Sequence, residues 1–192
     1  MKQRKSIRLP FYDYSWPGQY FITIITKFRE EHFGLPHRST TQEKALRDIV
    51  ENAWQDIFDG NCQSLSHVLM PNHLHGIIEI NNQENERVID HLDIKQRRQM
   101  KLSKLVGKFK MTSSKAINDY FEQQEGIRPF KWQPNYFERV VRNDHELRNI
   151  IRYIEDNPLK WEADLLNKEH SIKGDDSIKR FMNSFSISKD DS

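Results

Sequence analysis

The stretch CQSLSHVLM-PN-HLHGIIEI, residues 62–80, decides the fold of this 192-residue chain. Both halves are short runs with the β-branched and apolar residues typical of strands. Pro71 and Asn72, which separate them, are a turn signal. The stretch therefore predicts two antiparallel strands joined by a tight turn, with His73 and His75 at the head of the second strand.

Apolar periodicity on both sides of this hairpin predicts the remaining elements. Strands are predicted over residues 19–26 and 136–142. The first predicted helix ends at residues 59–61, the second spans residues 101–121, and the third runs from its N-cap Asn143 to Asn157. The order is β-α-β-β-α-β with an added helix. This order predicts an α+β, ferredoxin-like domain: a four-stranded antiparallel sheet with helices on one face and an additional C-terminal helix.

Composition shifts divide the chain into three parts. Residues 1–18 are expected to form an N-terminal arm, whose basic residues include Arg4, Lys5 and Arg8. Residues 19–165 form the folded domain. Residues 166–192 are a tail in which apolar side chains at helical spacing predict a short amphipathic helix, namely Ile178, Phe181, Met182 and Phe185.

Bulk properties exclude several classes of protein. The single cysteine, Cys62, rules out an internal disulfide framework and suits a reducing compartment. The longest apolar run, around residues 20–25, is far too short to span a bilayer. Because no basic segment followed by an apolar stretch and a small-residue cleavage site appears, export is not expected. We therefore expect a cytoplasmic protein without a membrane partner. The net charge of +2 and pI of 8.6 neither require nor forbid nucleic acid.

His73 and His75 are candidate metal ligands because residues i and i+2 of a strand point to the same face. Neutral imidazole suits Mn, Zn, Fe and Ni, whereas Mg requires additional oxygen ligands. Two polar residues on a half-exposed strand account equally well for the spacing. Glu79 lies about 13 Å along the same strand and is a poor third ligand, and His67 is expected to be structural.

Tyr153 is a candidate nucleophile because it lies outside the apolar stripe of its predicted helix. Around the helix axis, the centre of the apolar stripe lies about 110° from Tyr153, whereas Glu146 and Asn157 lie within about 20° of it. Asn157 is therefore a candidate metal ligand, although a residue before proline also ends helices. An ordinary surface tyrosine remains the alternative interpretation.

Charge placement adds a candidate DNA-binding surface. Four lysines fall within about 60° of one another on the helix over 101–121, namely Lys101, Lys104, Lys108 and Lys115. Together with the basic arm they are suited to a phosphate backbone, although a solvated lysine face is the usual explanation. Trp132 is a candidate for stacking on a base, and core packing is its alternative.

These motifs resemble those of a known family. The run Met70-Pro71-Asn72-His73-Leu74-His75 is similar to the HUH motif of single-tyrosine HUH transposases. The run from Arg152 to Trp161 resembles the Y-I-x-x-N-P signature of their REP-associated tyrosine transposase branch. The segments 12–14 and 136–143 are also similar to that branch, so the resemblance spans residues 5–165.

The resemblance implies a metal-dependent enzyme that nicks and joins single-stranded DNA near hairpin, REP-like elements. His73, His75 and Asn157 would bind Mg²⁺ or Mn²⁺. Tyr153 would attack the scissile phosphate and form a 5′-phosphotyrosine link. The resemblance also implies a nucleoid-associated location, and it leaves a homodimer open.

Two other classes of function remain open at this point. A non-catalytic module that binds a DNA hairpin or RNA would use the same fold. A hydrolytic metalloenzyme would use the two histidines but lacks an evident acidic third ligand. Tyr136 is a competing candidate for the nucleophile, and it is rejected because it sits on a predicted strand without an amide partner at i+4.

Overall fold

The computed structural model describes residues 12–81, 100–122 and 128–163. Arg4, Lys5 and Arg8 lie outside the described residues, as does the helix predicted in the tail. No helix of the described part is long and apolar enough to cross a membrane.

The described elements follow the predicted order. They are β1 (Gly18–Ile25), α1 (Thr41–Gln55), β2 (Cys62–Met70), β3 (His73–Ile80), α2 (Lys101–Phe121), β4 (Phe137–Val140) and α3 (Asp144–Asp156), with short 3-10 segments at Lys27–Arg29 and Asn157–Ala163. Thr40 begins α1 with a complete capping box to Glu43. Asn143 begins α3 by accepting a hydrogen bond from the backbone N–H of Glu146 (2.8 Å).

Within the described residues the four strands form one sheet in the order β2-β3-β1-β4, and every neighbouring pair is antiparallel. This arrangement confirms the predicted ferredoxin-like α+β fold. The two central strands carry the candidate site, because His73 pairs with Ile25 and His75 pairs with Thr23.

The two faces of the sheet are covered by different helices. On one face α1 and α2 bury a large core, represented by Tyr20, Ile22 and Leu74. On the other face Ile150 and Ile154 of α3 pack on the alternate strand residues, such as Phe21. Because side chains alternate along a strand, Thr23, His73 and His75 fall on the face that α3 covers.

Gly76, directly after the second histidine, allows this layering. A Cβ atom at Gly76 would lie 2.8 Å from the indole of Trp54, closer than real Cβ contacts come. Trp54 is fully buried on α1 and donates a hydrogen bond from Nε1 to Ser64 (3.1 Å). A larger residue at position 76 would therefore push α1 away from the strand that carries the histidines.

The structure places the start of the domain earlier than predicted. Tyr14 is 3% exposed and belongs to the core under α2, and its carbonyl accepts the N–H of Leu102 (3.1 Å). The predicted arm over residues 1–18 is therefore wrong for residues 12–18. Tyr12 packs its ring against those of Tyr14 and Tyr20. The basic charge of the N-terminal residues does not predict such packing.

Candidate active site

The two histidines at the head of β3 form a closely spaced, buried pair. His73 is 0% exposed and His75 is 2% exposed, and their Nε2 atoms lie 3.0 Å apart. Phe21 stacks on the ring of His75 and Trp161 stacks on that of His73. The alternative of two polar residues on a half-exposed strand is therefore contradicted.

Asn72 fixes the tautomer of the first histidine. Its Nδ2 donates to the Arg29 carbonyl oxygen (3.3 Å), so its amide oxygen is the atom that faces His73 Nδ1 at 2.8 Å. An amide oxygen only accepts, and Nδ1 must therefore carry the proton. In the neutral ring this leaves the Nε2 lone pair of His73 directed toward His75.

Thr23 orients the second histidine from the neighbouring strand. Its Oγ1 lies 2.8 Å from His75 Nδ1, and both side chains are buried. A hydroxyl can donate or accept, so Thr23 can support either tautomer of His75. Partners of this kind set ring orientation and basicity in metal sites.

Burial keeps both imidazoles neutral. Loss of solvation lowers the pKa of His75 from its ordinary value of 6.5 to about 3. Loss of solvation also lowers the pKa of His73 well below 6.5, with further electrostatic contributions from the nearby His75 and Arg29. Neutral imidazole is the form that binds metal ions, so protonation would not prevent metal binding by the pair at neutral pH.

The donor set fits a divalent metal. Two nitrogens at right angles around one ion, each about 2.1 Å from it, lie about 3.0 Å apart, and this matches the separation of the two Nε2 atoms. Among the described residues no group of three His, Cys, Asp or Glu side chains could hold a metal ion. Further ligands would therefore come from neutral oxygens or substrate.

Tyr153 lies at this histidine pair. Its hydroxyl is 3.3 Å from His75 Nε2, and its ring packs edge-on against the rings of His75 and Phe21. The side chain is half-buried, so the alternative of an ordinary surface tyrosine is contradicted. Tyr153 and His75 belong to the same chain, and the contact requires no second copy.

A buried ion pair holds α3 in this position. Arg139 on β4 binds the carboxylate of Glu146, which also accepts the backbone N–H of Arg142 (2.9 Å). The predicted N-cap at Asn143 forms without the reciprocal half of a capping box, because the Glu146 carboxylate binds β4 and the loop rather than the N-cap backbone. Since Glu146 and Tyr153 share a helix face, this contact sets the rotation of α3 about its axis.

Asn157 is buried at the end of α3, and its Nδ2 donates to the Tyr153 carbonyl oxygen (3.4 Å). Its backbone is helical, so the chain continues into a 3-10 segment instead of turning away at Pro158. That continuation brings Trp161 onto His73 with ring centroids 5.8 Å apart. Metal binding by Asn157 stays a prediction.

The four lysines predicted to bind DNA lie on α2, in the helical layer on the opposite face of the sheet from the histidine pair. Lys101 binds Asp59 (2.9 Å), and this hydrogen bond lowers the pKa of that carboxyl to about 2. Lys108 donates to the Asp56 carbonyl oxygen (2.8 Å), whereas Lys104 and Lys115 are exposed. Their role in DNA binding stays a prediction.

The structure contradicts the stacking role predicted for Trp132. This side chain is 6% exposed, its indole N–H donates to Ser113 (2.9 Å), and its ring packs against Phe33, Phe109 and Phe130. Trp132 is therefore a core residue. The reason is that its segment bridges to Thr26 at the end of β1 and folds under the helical layer.

The structure also places the other residues considered in the sequence. Tyr136 directly precedes β4 instead of lying on a strand as predicted, but it lies against α2, with its hydroxyl 3.5 Å from Ser103, and is not part of the histidine site. His67 is paired with Glu51 on α1 (2.6 Å). Glu79 binds Gln19 and Gln63, away from the histidines.

Three supporting residues were not predicted as parts of the site. Asn72 is predicted only as a turn residue, but its position directly before His73 is a signal in the sequence that it contacts the pair. Trp161 lies four residues after Asn157, about one helical turn further on, which is the corresponding signal for this residue. Thr23 gave no signal, because its contact depends on the pairing of β1 with β3 across 52 residues.

Comparison with known proteins agrees with this site and fold. The family model "Transposase IS200 like" matches residues 89–157, which include Tyr153 and Asn157. An uncharacterized protein of Haemophilus influenzae is 34% identical over 167 residues, covering 85% of this chain and 92% of that protein.

The fold has a solved counterpart in a REP-associated tyrosine transposase bound to a REP hairpin. The TM-score is 0.51 at 20% identity, with 84% of this chain and 74% of that chain covered. At this identity the likeness concerns the fold, whereas the family model rests on sequence. The chain therefore belongs to the family of IS200-like transposases, and it has the fold of a REP-associated tyrosine transposase.

Proposed function

We propose that this chain cuts and rejoins single-stranded DNA at the histidine pair, with Tyr153 as the nucleophile. The observation that carries the proposal is the 3.3 Å distance between the Tyr153 hydroxyl and His75 Nε2, one of the two nitrogens available to a metal ion. A phenol this close to a metal-binding pair is placed to attack a phosphate held there.

The proposed reaction exchanges one phosphodiester for another. Tyr153 Oη loses its proton and forms a bond to phosphorus, the bond from phosphorus to the 3′ oxygen breaks, and that oxygen takes up a proton and leaves as a free 3′-OH. The product is a 5′-phosphotyrosine link, which conserves the bond energy for rejoining without a nucleotide cofactor. Mg²⁺ or Mn²⁺, when bound, supplies positive charge that polarises the phosphate and favours the phenolate.

The supporting residues have distinct tasks in this proposal. Thr23 and Asn72 hold the two imidazoles in the orientation that presents both Nε2 lone pairs. Glu146 and Arg139 hold α3 so that Tyr153 faces the pair. Asn157, buried one turn after Tyr153, is the proposed third ligand of the metal.

The proposed substrate is single-stranded DNA next to a hairpin, REP-like element. Membership of the transposase family supports DNA as the partner, and the fold counterpart is a protein bound to a REP hairpin. Arg148 and Arg152, one helical turn apart on α3, are exposed and can contact phosphates beside Tyr153.

A denaturing gel tests the proposal directly. An oligonucleotide with a hairpin flank is incubated with the protein and Mn²⁺ or Mg²⁺. A label at its 3′ end should migrate with the protein, and a label at its 5′ end should appear on a free fragment. Chelator should abolish both products. Tyr153→Phe should lose the adduct while keeping DNA binding, and Tyr136→Phe is the matched control that should keep both.

Other outcomes of the same gel would overturn the proposal. Cleavage that leaves a free 5′-phosphate without an adduct would identify a hydrolytic enzyme. Binding without any cleavage, unaffected by chelator, would identify a non-catalytic nucleic-acid-binding module. Cleavage by Tyr153→Phe at the wild-type rate would show that Tyr153 is not the nucleophile.

A further inference from the structure

The 3-10 segment Lys27–Arg29, here called the β1 turn, lies directly beside the histidine site. Thr26, the residue before it, donates its backbone N–H to the Asn72 carbonyl oxygen (2.9 Å). The Arg29 carbonyl accepts the side chain of the same asparagine, which orients His73. The β1 turn is therefore attached to the residue that positions the first metal ligand.

The backbone of this turn is strained. Phe28 and Arg29 have φ values of 59° and 58°, in the left-handed region that bulky residues rarely adopt. Two flanking hydrogen bonds hold the conformation, from Thr26 Oγ1 to the Glu30 carbonyl (2.7 Å) and from Arg29 N–H to the Thr26 carbonyl (3.1 Å). Strain that is held in place in this way is concentrated at functional sites.

The strained turn displays an aromatic ring among positive charges. Phe28 is 66% exposed, and Lys27 Nζ lies 4.8 Å from the centre of its ring. The backbone N–H of Lys27 donates to the Lys131 carbonyl (2.8 Å), which places a second exposed lysine at the turn. The carboxylate of the neighbouring Glu30 lies 3.5 Å from His32 Nε2. Exposed aromatic and cationic groups side by side are the combination that binds single-stranded nucleic acid.

We propose that the β1 turn binds the DNA strand next to the scissile phosphate, with Phe28 stacked on a base and Lys27 and Lys131 contacting phosphates. This inference rests on the proposed function, because the strand must reach the histidine pair. It assigns to Phe28 the stacking role that the buried Trp132 does not have. A stacked base reads ring surface rather than hydrogen bonds, so the turn would add affinity with little sequence preference.

The test measures binding of labelled single-stranded DNA by fluorescence anisotropy, in a Tyr153→Phe background that prevents cleavage. Phe28→Ala should raise Kd by about 5- to 150-fold, the range for loss of one base–aromatic stack. Phe28→Tyr should bind like the parent. The matched control is Met111→Ala, since Met111 is 67% exposed on α2, in the other layer, and this change should leave Kd unaltered.

A second variant separates the ring from the backbone conformation. Phe28→Gly removes the ring but relieves the left-handed strain, so it should stabilise the fold relative to Phe28→Ala and bind DNA equally weakly. If Phe28→Gly instead restores full affinity, the turn's shape and not its ring matters, and the proposal is wrong. DNA carrying 5-iodouracil beside the cleavage site should crosslink to Phe28, and crosslinking elsewhere alone would also refute it.

The outcome for the parent protein distinguishes the two proposals. The parent for the binding assay is the Tyr153→Phe protein, and adduct formation is measured with the wild-type protein. If the parent binds single-stranded DNA and the wild-type protein forms the adduct, but adding Phe28→Ala leaves Kd unchanged, only the role of the β1 turn fails. If the Tyr153→Phe parent binds no single-stranded DNA and the wild-type protein forms no adduct, the proposed function itself fails.

Discussion

Replacing Thr23 by valine should weaken metal binding without disturbing the strand. Thr23 Oγ1 lies 2.8 Å from His75 Nδ1, with the two side chains 1% and 2% exposed. Valine keeps the β-branched shape that suits β1 but removes the only group of this side chain that can donate or accept a hydrogen bond. His75 Nδ1 would then lose the Thr23 hydroxyl, and this contact would no longer orient the ring whose Nε2 faces His73.

The magnitude follows from two contributions. Leaving Nδ1 of a buried imidazole without its partner costs about 1–3 kcal/mol in the free energy of unfolding. Loss of an orienting partner behind a metal-bound histidine typically weakens metal affinity by about 10- to 100-fold. We therefore expect Thr23→Val to show both a lower unfolding free energy and a clearly raised Kd for Mn²⁺.

Isothermal titration with Mn²⁺ and thermal unfolding of the metal-free protein measure the two quantities. Thr23→Ser, which keeps the hydroxyl, should behave nearly like the parent protein in titration. Thr112→Val removes a hydroxyl bonded within α2, in the other layer, and should leave Mn²⁺ affinity unchanged. A Kd for Thr23→Val within twofold of the parent would refute the role given to Thr23.

Three further outcomes are expected. Burial gives both histidines a lower pKa in the folded than in the unfolded state, so the stability of the metal-free protein should be highest above about pH 6.5 and should fall as the pH drops below that value. Denaturant titrations at pH 7.5 and 5.5 measure this loss, and a flat profile between the two would contradict it. Glu146→Gln should lower the unfolding free energy, because it removes the carboxylate that pairs with Arg139 and accepts the backbone N–H of Arg142, whereas a loss below about 1 kcal/mol by the same method would show that the pair does not fix α3. Saturating Mn²⁺ should raise the melting temperature of the parent protein but not that of His75→Ala in a thermal scan, and an equal rise in both would place the metal elsewhere.

The elements were predictable from the sequence because their signals are local. Apolar periodicity and the turn at Pro71 are enough to place the hairpin and to order the strands and helices. The fourth strand is the exception, since 136–142 was predicted and only Phe137–Val140 pairs. In the structure β4 pairs with Tyr20 to Thr23 of β1, and which residues pair across two strands is a tertiary property.

The candidate site was predictable to the extent that its residues share a face of one element. His73 and His75 share a strand face, and Tyr153 and Asn157 share a helix face, so spacing predicted each pair but did not exclude the alternatives to a functional site. Trp132 could not be placed in this way, because exposure of an aromatic side chain depends on what packs above it. Thr23 likewise becomes part of the site only when two distant strands pair.

The central claim is that Tyr153 itself becomes covalently joined to DNA, and peptide mapping of the adduct tests it most directly. Trypsin cuts after Arg152 and Lys160, so Tyr153 lies in the peptide 153–160, whereas Tyr136 lies in 132–139. After nuclease treatment of the adduct, mass spectrometry should find a nucleotide phosphate on the 153–160 peptide, at Tyr153. The same added mass on the 132–139 peptide would contradict the account. So would the absence of any modified peptide in a reaction in which the DNA has been cut.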